Sequence, residues 1–221
     1  MAFSTTPRPT MHKRFWYGAF AISAVVAFAA VAPAPRAPLG APAMSAVKVT
    51  AGASLGSGVH IGHGFILTAS HVVGQEATAS IKTSLGDAVD GVIMWTNAAY
   101  DIALIKIDDG SLPAAAHLDC RIPDIGEAIE TVGNPLGLEF VTSWGRVSSV
   151  SGAAGRWGSA VMVDLSVSPG NSGGPVYDDD DDVVGIVVGD VIAPMGLASS
   201  LTGIGVVVPA KTACALLART H

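Results

Sequence analysis

The sequence has few cysteines, few aromatic residues and little charge. Of its 221 residues, two are cysteines, 6% are aromatic and 14% are charged. Two cysteines are too few for a small scaffold built on disulfides. A hydrophobic content of 50% excludes a chain that is disordered because of its composition. The length allows one domain of ordinary size, or two small domains packed together.

Basic residues are also scarce in the main part of the chain. From Ser45 onward there are 8 Lys and Arg against 18 Asp and Glu, which gives a net charge of −10. Nucleic-acid binding requires a basic face. The composition therefore predicts no nucleic-acid partner, and the negative charge serves to keep a soluble protein dispersed.

The amino-terminal segment contains the long uncharged apolar run of the chain. Residues 1–14 form a basic flank, and residues 15–32 are apolar. That length is short for a membrane-spanning helix and long for the core of a signal peptide, so an anchor and a cleaved signal are both open. Because the basic flank stays in the cytoplasm, we expect the remaining chain to be extracytoplasmic, either membrane-anchored or secreted. The Pro/Ala-rich residues 33–45 predict an extended linker.

Short Val- and Ile-rich runs separated by glycines predict strands and turns in the rest of the chain. Residues 46–112 contain one set of about six runs, and residues 127–208 contain a second set after a connector at 113–126. Residues 209–221 contain the one good helical pattern of this part. We therefore predict an all-β fold: two tandem six-stranded antiparallel β-barrels with a short carboxy-terminal helix, preceded by an amino-terminal apolar helix.

A glycine-rich turn surrounds Ser172 in the segment Gly170-Asn171-Ser172-Gly173-Gly174-Pro175. Glycine lets a chain turn sharply because it has no Cβ atom. Such a turn can point the amides of Gly170 and Ser172 into one concavity, as an oxyanion hole requires. Taken by itself, the segment also fits a plain turn with an incidental serine.

A serine nucleophile needs a base, and the base needs a group that orients it. His71 lies near the end of the run Leu67–Val73, and the small residues before it leave space beside its ring. Asp101 stands at the start of an apolar strand, where a carboxylate is costly unless it is paired. An imidazole N–H would supply that pairing. We therefore predict Ser172 as the nucleophile, His71 as the base and Asp101 as the orienting carboxylate.

The segment around Ser172 also matches the G-x-S-x-G turn of α/β-hydrolases. That fold needs its histidine after the serine, and the one later histidine is the terminal His221. The chain order His71, Asp101, Ser172 is the order of the chymotrypsin-like group.

Three segments resemble those of trypsin-like serine proteases, most closely the bacterial HtrA/DegP branch: Ser57–Val73, Tyr100–Leu104 and Pro169–Pro175. Gly203–Ala210 is similar to the last strand of that branch before its helix, and the resemblance covers about Ala46 to Arg219. It implies a double β-barrel with the triad in the cleft between the barrels. It also implies cleavage of protein or peptide substrates through an acyl-enzyme, with no cofactor or metal.

The resemblance further implies a substrate pocket with Ser166 near its base and walls at Val188, Gly189, Asp190 and Gly203. Because Ser166 is neutral, we expect small or medium apolar side chains before the scissile bond, unless the Asp190 carboxylate faces the pocket. Asn171 stands where digestive members carry an aspartate that pairs with a new amino terminus. Activation by that route is therefore expected to be absent.

Two further features remain open at this point. In some trypsin-like proteases a disulfide joins the connector to the carboxy-terminal helix. A disulfide between Cys120 and Cys214 would correspond to it, and two free thiols are the alternative. The aspartate run Asp178–Asp182 is expected to be a solvated hairpin tip, with calcium binding as the alternative.

HtrA proteins usually append a PDZ domain, and this sequence ends a dozen residues after its last predicted strand, so we expect that module to be absent. The competing function is an inactive binding module of protease fold displayed outside the membrane. Its signature would be the loss of a triad residue, and His71, Asp101 and Ser172 are all present.

Overall fold

The computed structural model describes Met1 and residues 40–107, 114–151, 157, 159–195 and 198–219. The apolar helix predicted at residues 15–32 lies outside these residues, as does almost all of the basic flank. Across the described part of the chain, no helix is both long and apolar enough to cross a membrane.

In the described residues, twelve strands form two closed antiparallel barrels, as predicted. The first barrel consists of β1 (Ala46–Ala51), β2 (Ser54–His60), β3 (Phe65–Thr68), β4 (Thr78–Thr83), β5 (Ala88–Asn97) and β6 (Ile102–Lys106). The second consists of β7 (Ala128–Gly133), β8 (Val141–Ser151), β9 (Ala160–Val163), β10 (Pro175–Tyr177), β11 (Val183–Met195) and β12 (Ala198–Pro209). Their strand orders are β1-β2-β3-β6-β5-β4 and β10-β11-β12-β9-β8-β7.

The helices are α1 (Ala41–Ser45), α2 (Ser70–Val73), α3 (Ala210–Leu217) and a 3-10 turn at Pro135–Gly137. The predicted carboxy-terminal helix is α3. Its buried residues are Ala210, Ala213 and Leu216, which recur at the three-residue spacing of one helix face.

Buried valine and isoleucine side chains explain why these segments are strands. One apolar cluster lines the first barrel and continues into the second, where it includes Val132, Ile186 and Val208. A smaller cluster fills the second barrel and includes Val163 and Val184. β-Branched side chains pack well on a pleated surface, and the shared cluster seats the two barrels against each other.

Part of the predicted linker is instead helical and packed. α1 lies within residues 33–45, and the hydroxyl of the buried Tyr177 donates to the Pro42 carbonyl at 2.9 Å. The same hydroxyl lies 2.7 Å from Ser45 Oγ. A buried hydroxyl needs such partners. The Pro/Ala composition could not reveal them, because Tyr177 is more than 130 residues away in the chain.

β11 and β12 extend well beyond the runs Val183–Val188 and Gly203–Val208 that the hydrophobic pattern predicts. Their additional residues pair with each other, for example Ile192 with Leu201, across register shifts near Val187 and Asp190. Bulges of this kind interrupt the two-residue alternation from which strands are predicted. The extension therefore depends on pairing between the strands, which the local sequence does not show.

Two neighbouring residues, Cys120 and Arg121, attach the connector between the barrels to other parts of the fold. Cys120 is joined by a disulfide to Cys214 in α3. Arg121 donates to Asp119, to both oxygens of Glu127 and to Asp178 Oδ2. These hydrogen bonds from Arg121 lower the pKa of Glu127.

Asp178, the first residue of the aspartate run, is hydrogen-bonded and largely shielded from solvent. The Asp178 side chain is only 10% exposed. Besides Arg121, it accepts hydrogen bonds from the amides of Asp180 and Asp182. In the described part of the chain, no group of three or more His, Cys, Asp or Glu side chains is arranged to hold a metal ion.

Reducing the Cys120–Cys214 disulfide should lower the free energy of unfolding by about 4 kcal/mol, because the bond restricts the unfolded chain by closing a long loop. The two cysteines are 94 residues apart. Denaturant unfolding with and without reductant measures the effect. The double variant Cys120→Ser/Cys214→Ser is the control and should not respond to reductant. Equal stability of the oxidised and reduced wild type would contradict the expectation.

Candidate active site

Ser172 lies between β9 and β10 in two consecutive tight turns. The Asn171 amide donates to the Ser168 carbonyl at 2.9 Å, and the Gly174 amide donates to the Asn171 carbonyl at 2.9 Å. The third residues of these turns are Gly170 and Gly173, with φ of +102° and +85°. A type II turn requires positive φ at its third position and therefore favours glycine there. The glycines around Ser172 thus have a definite backbone role.

The two turns leave two amides free. The amides of Asn171, Gly173 and Gly174 donate to backbone carbonyls. Within the described residues, no backbone hydrogen bond is donated by Gly170 or Ser172. Both residues line the same cavity. Their N–H groups are therefore available to an oxygen atom placed in that cavity.

Ser57, in β2 of the first barrel, holds this turn in place. Its fully buried hydroxyl donates to the Gly170 carbonyl at 2.7 Å, and its amide donates to the Ser172 carbonyl at 2.8 Å. The hydroxyl also accepts hydrogen bonds from the backbone and side-chain nitrogens of Asn134, each at 3.0 Å. Sequence reasoning missed Ser57 and Asn134, since a serine in a strand carries no local signal of contacts this distant.

His71 and Asp101 form a close pair at the edge of the first barrel. His71 lies in the short helix α2, which directly follows β3. Its ring nitrogen Nδ1 lies 2.7 Å from Asp101 Oδ2, and its amide donates to Asp101 Oδ1 at 2.9 Å. The Ser70 amide donates to the Asp101 carbonyl at 3.1 Å. These three hydrogen bonds fix α2 against Asp101.

The environment of Asp101 keeps its carboxyl ionised. Asp101 is 5% exposed and has φ of +59°, a conformation that aspartate tolerates better than most residues. Burial acts to raise its pKa, but the hydrogen bonds and the charge of His71 outweigh burial and lower it. A carboxylate that accepts two hydrogen bonds from one histidine is suited to fixing the orientation of that ring.

Trp157, between β8 and β9, is a further neighbour of Asp101 that sequence reasoning missed. Its indole acts together with His71 to lower the pKa of Asp101. The ring lies against Gly189 of β11, where an added Cβ atom would stand 3.2 Å from it. The absence of a side chain at Gly189 thus gives the indole its space.

His71 and Ser172 lie on the wall of one cavity of about 370 Å³. It is lined by Ser54, Leu55, His71, Val72, Val167, Ser168, Pro169, Gly170, Ser172, Val188, Gly189 and Asp190. The structure thus brings together His71, Ser172, Gly170 and three of the expected pocket residues. In the described residues, His71 and Ser172 share the cavity without a hydrogen bond between their side chains. Such contacts often tighten only when substrate is bound.

Two expected pocket residues do not line this cavity. Ser166 is exposed, and its carbonyl accepts a hydrogen bond from Asn171 Nδ2 at 3.2 Å. Gly203 lies in β12 with open space around the position of a Cβ atom. The cavity wall is formed instead by the next residue, Val167, and by Ser168 and Pro169. Residues 164–168 follow β9 without forming a strand, so strand alternation could not predict which of their side chains face the cavity.

The comparisons with known proteins agree with this geometry. The family model described as "Trypsin-like peptidase domain" matches residues 56–186, more than half of the chain. The chain belongs to the trypsin-like peptidase family. Its matched region includes His71, Asp101 and Ser172.

Relatives and solved structures point to one branch of this family. The chain is 32% identical over 138 residues to a protein of Halomonas elongata named a probable periplasmic serine endoprotease, DegP-like, covering 60% of this chain and 29% of that protein. The serine endoprotease from Yersinia pestis is similar with a TM-score of 0.68 and 27% identity, covering 80% of this chain and 63% of that one. The HtrA-type protease AlgW is similar with a TM-score of 0.71 and 25% identity, covering 79% and 59%.

The likeness to the Halomonas protein thus reaches less than a third of that protein's length. The relative is therefore a longer protein than the region that it shares with this chain.

Replacing Gly170 with alanine should disrupt the site, whereas the same change at Gly86 should not. The two glycines have φ of +102° and +101°, so each alanine bears a similar backbone strain of about 1 kcal/mol. Only at position 170 would the Cβ atom meet a backbone oxygen, that of Asn134 at 2.2 Å, while Gly86 has open space. Thermal unfolding and labelling by an active-site serine probe report the effect. Equal losses in both variants would contradict this interpretation.

Asp101→Asn should destabilise the protein by about 1–3 kcal/mol at neutral pH, because an amide cannot accept both hydrogen bonds from His71. Because the pKa of Asp101 is lowered in the folded state, its ionised carboxylate stabilises the fold above the unfolded pKa of about 3.9. This stabilisation is lost as the pH falls through the folded pKa. The difference between wild type and variant should therefore shrink below about pH 4. Denaturant unfolding at pH 7 and pH 3 measures it, and a difference that grows on acidification would refute the assignment.

Proposed function

We propose that this protein is a serine endopeptidase that uses Ser172 as nucleophile, His71 as general base and Asp101 as the carboxylate that orients His71. The observation that supports this most directly is their convergence. A serine in a double turn with two free amides shares a cavity with a histidine held by a buried carboxylate. Serine chemistry requires this set of groups.

The reaction follows from the hydrogen bonds of each group. Asp101 occupies Nδ1 of His71, so Nε2 is the nitrogen that takes the proton of Ser172 Oγ. The oxygen attacks the peptide carbonyl, and the resulting oxyanion accepts hydrogen bonds from the amides of Gly170 and Ser172. His71 then gives its proton to the leaving amine, which departs and leaves the acyl-enzyme. Water, activated by the same histidine, releases the acid and restores Ser172.

The backbone around Ser172 makes the oxyanion site rigid. The Gly170 carbonyl is held by Ser57 and the Ser172 carbonyl by the Ser57 amide, so the peptide planes beside both free amides are fixed. Preorganised donors lower the barrier because they need no reorganisation during the reaction, and loss of one typically costs about 100- to 1,000-fold in kcat. Ser57 therefore positions the donors without contacting the substrate.

Asn171 supports an active arrangement without a newly formed amino terminus. It is 2% exposed and donates to the Ser166 carbonyl. It carries no charge and requires no cationic partner, unlike a buried aspartate at this position. We therefore propose that the turn reaches its working conformation without cleavage of the chain.

The location and organisation follow from the sequence and the relatives. A relative named as periplasmic supports an extracytoplasmic peptidase domain. We propose that residues 15–32 deliver it there as an anchor or as a cleaved signal. We also propose that residues 46–112 and 127–208 are the units that carry His71 with Asp101 and Ser172, joined by residues 113–126.

Ser172→Ala should abolish labelling by a fluorophosphonate and leave the thermal unfolding midpoint nearly unchanged, because the alanine removes the nucleophile alone. The control is Ser149→Ala, at an exposed position in β8, which should be labelled like the wild type. Labelling is read by intact-protein mass spectrometry. Undiminished labelling of the Ser172→Ala protein, or none of the wild type, would refute the proposed function.

A further inference from the structure

The loop between β7 and β8, residues 134–140, contacts the peptide unit that carries one of the two free amides. The Leu136 amide donates to the Pro169 carbonyl at 2.7 Å. That carbonyl belongs to the same peptide unit as the N–H of Gly170, which lines the cavity. Because a trans peptide unit is planar and its C=O and N–H point in opposite directions, a partner that holds the carbonyl also sets the direction of the N–H. Leu136 therefore orients the Gly170 amide without lining the cavity itself.

Two residues of this loop have backbone conformations that are costly for residues with a side chain. Leu136 has φ of +52° and Phe140 has φ of +53°, both in the left-handed region. Such conformations persist only where the surroundings hold them. The side chain of Leu136 does not provide that hold, because it is 75% exposed, and the side chain of Leu138 is 63% exposed. Another contact of the loop is therefore needed to keep Leu136 in place.

Glu139 attaches the loop to the first barrel. Its Oε1 atom accepts a hydrogen bond from Lys48 Nζ at 2.9 Å, and its Oε2 atom accepts one from Lys82 Nζ at 2.8 Å. The hydrogen bonds from Lys82 and Lys48 lower the pKa of Glu139, so its carboxylate is ionised at neutral pH. One side chain thus joins a loop of the second barrel to β1 and β4 of the first.

The two lysines are placed so that a carboxylate is needed between them. Lys48 and Lys82 are direct partners across the antiparallel pair of β1 and β4. Like charges directly opposite each other on two strands repel and destabilise the pair. Among the described residues, Glu139 is the one acidic residue that forms an ion pair with either lysine. Relief of the repulsion therefore favours the position of the loop in which Glu139 reaches both lysines.

We propose that Glu139 is a positioning residue for the peptidase reaction: by binding Lys48 and Lys82 it holds Leu136, and through Leu136 it holds the oxyanion-binding N–H of Gly170. This inference rests on the proposed function and deepens it. Ser57 holds the Gly170 carbonyl, which belongs to the following peptide unit, so Glu139 serves a different part of the same site. Exposed ion pairs add little to the stability of a fold. We therefore expect the effect of Glu139 on the reaction rate rather than on unfolding.

The first experiment compares Glu139→Gln with the wild type as full chains at low salt, with an uncharged peptide that the wild type cleaves. The variant should lower kcat about three- to tenfold, which corresponds to the loss of two partly exposed ion pairs. KM and the thermal unfolding midpoint should stay nearly unchanged, because an oxyanion donor acts mainly in the transition state. The control is Glu76→Gln, an exposed carboxylate that takes part in none of the ion pairs of the described residues, and it should match the wild type.

Salt and charge reversal distinguish positioning by charge from a merely structural role. Raising NaCl from about 0.1 M to about 1 M shortens the Debye length from about 10 Å to about 3 Å. The kcat of the wild type should then fall towards that of Glu139→Gln, whereas the kcat of the variant should change little. Glu139→Lys should be less active than Glu139→Gln, because three cations then meet. Adding Lys48→Glu and Lys82→Glu to Glu139→Lys should restore most of the kcat.

The outcomes separate this inference from the proposed function. An unchanged kcat in Glu139→Gln, equal salt responses of this variant and the wild type, or a folded triple variant without restored kcat would overturn the role of Glu139 and leave the peptidase assignment intact. If the wild type cleaves no peptide and is not labelled, the proposed function fails. Hydrogen exchange of the Leu136 amide, read by NMR, then decides the role of Glu139. Exchange should be about threefold or more faster in Glu139→Gln than in the wild type, and equal rates would overturn it.

Discussion

The hydrogen bonds of Ser57 join the two barrels at the point where the candidate active site is assembled. The first barrel provides His71 and Asp101, and the second provides Ser172, so the site depends on the contact between them. Ser57 fastens the carbonyls of Gly170 and Ser172 to β2. The approach is so close that a Cβ atom on Gly173 would stand 2.2 Å from the Ser57 carbonyl oxygen. The glycine after the nucleophile is thus required by packing between the barrels as well as by its φ angle.

Charge in the cleft is arranged in two different ways. Asp101 is buried but accepts two hydrogen bonds from His71, and these lower its pKa against the effect of burial. Asp190 lies at the cavity wall with one shielded oxygen that has no partner among the described residues. A carboxylate that accepts several hydrogen bonds can hold a side chain in place, as Asp101 holds His71.

The fold was predictable where short-range patterns reflect burial. Runs rich in valine and isoleucine marked the strands, glycines marked the turns, and their number gave two barrels. The prediction was wrong at residues 41–45, where α1 packs under Tyr177, and it ended β11 and β12 too early. Both depend on partners distant in the chain or on bulged pairing, and neither leaves a periodic pattern in the local sequence.

The sequence by itself determined the chemical groups and their order: a serine among glycines, an earlier histidine and a carboxylate between them. It also predicted a sharp turn at these glycines, and the structure gives the reason that Gly170 and Gly173 are needed, because both have positive φ. Only the tertiary structure decided which side chains surround these groups. Ser57, Trp157 and Val167 reach the site from other strands and loops, and Ser166 does not line the cavity. Contacts across a barrel interface are set by packing in three dimensions, and no spacing along the chain encodes them.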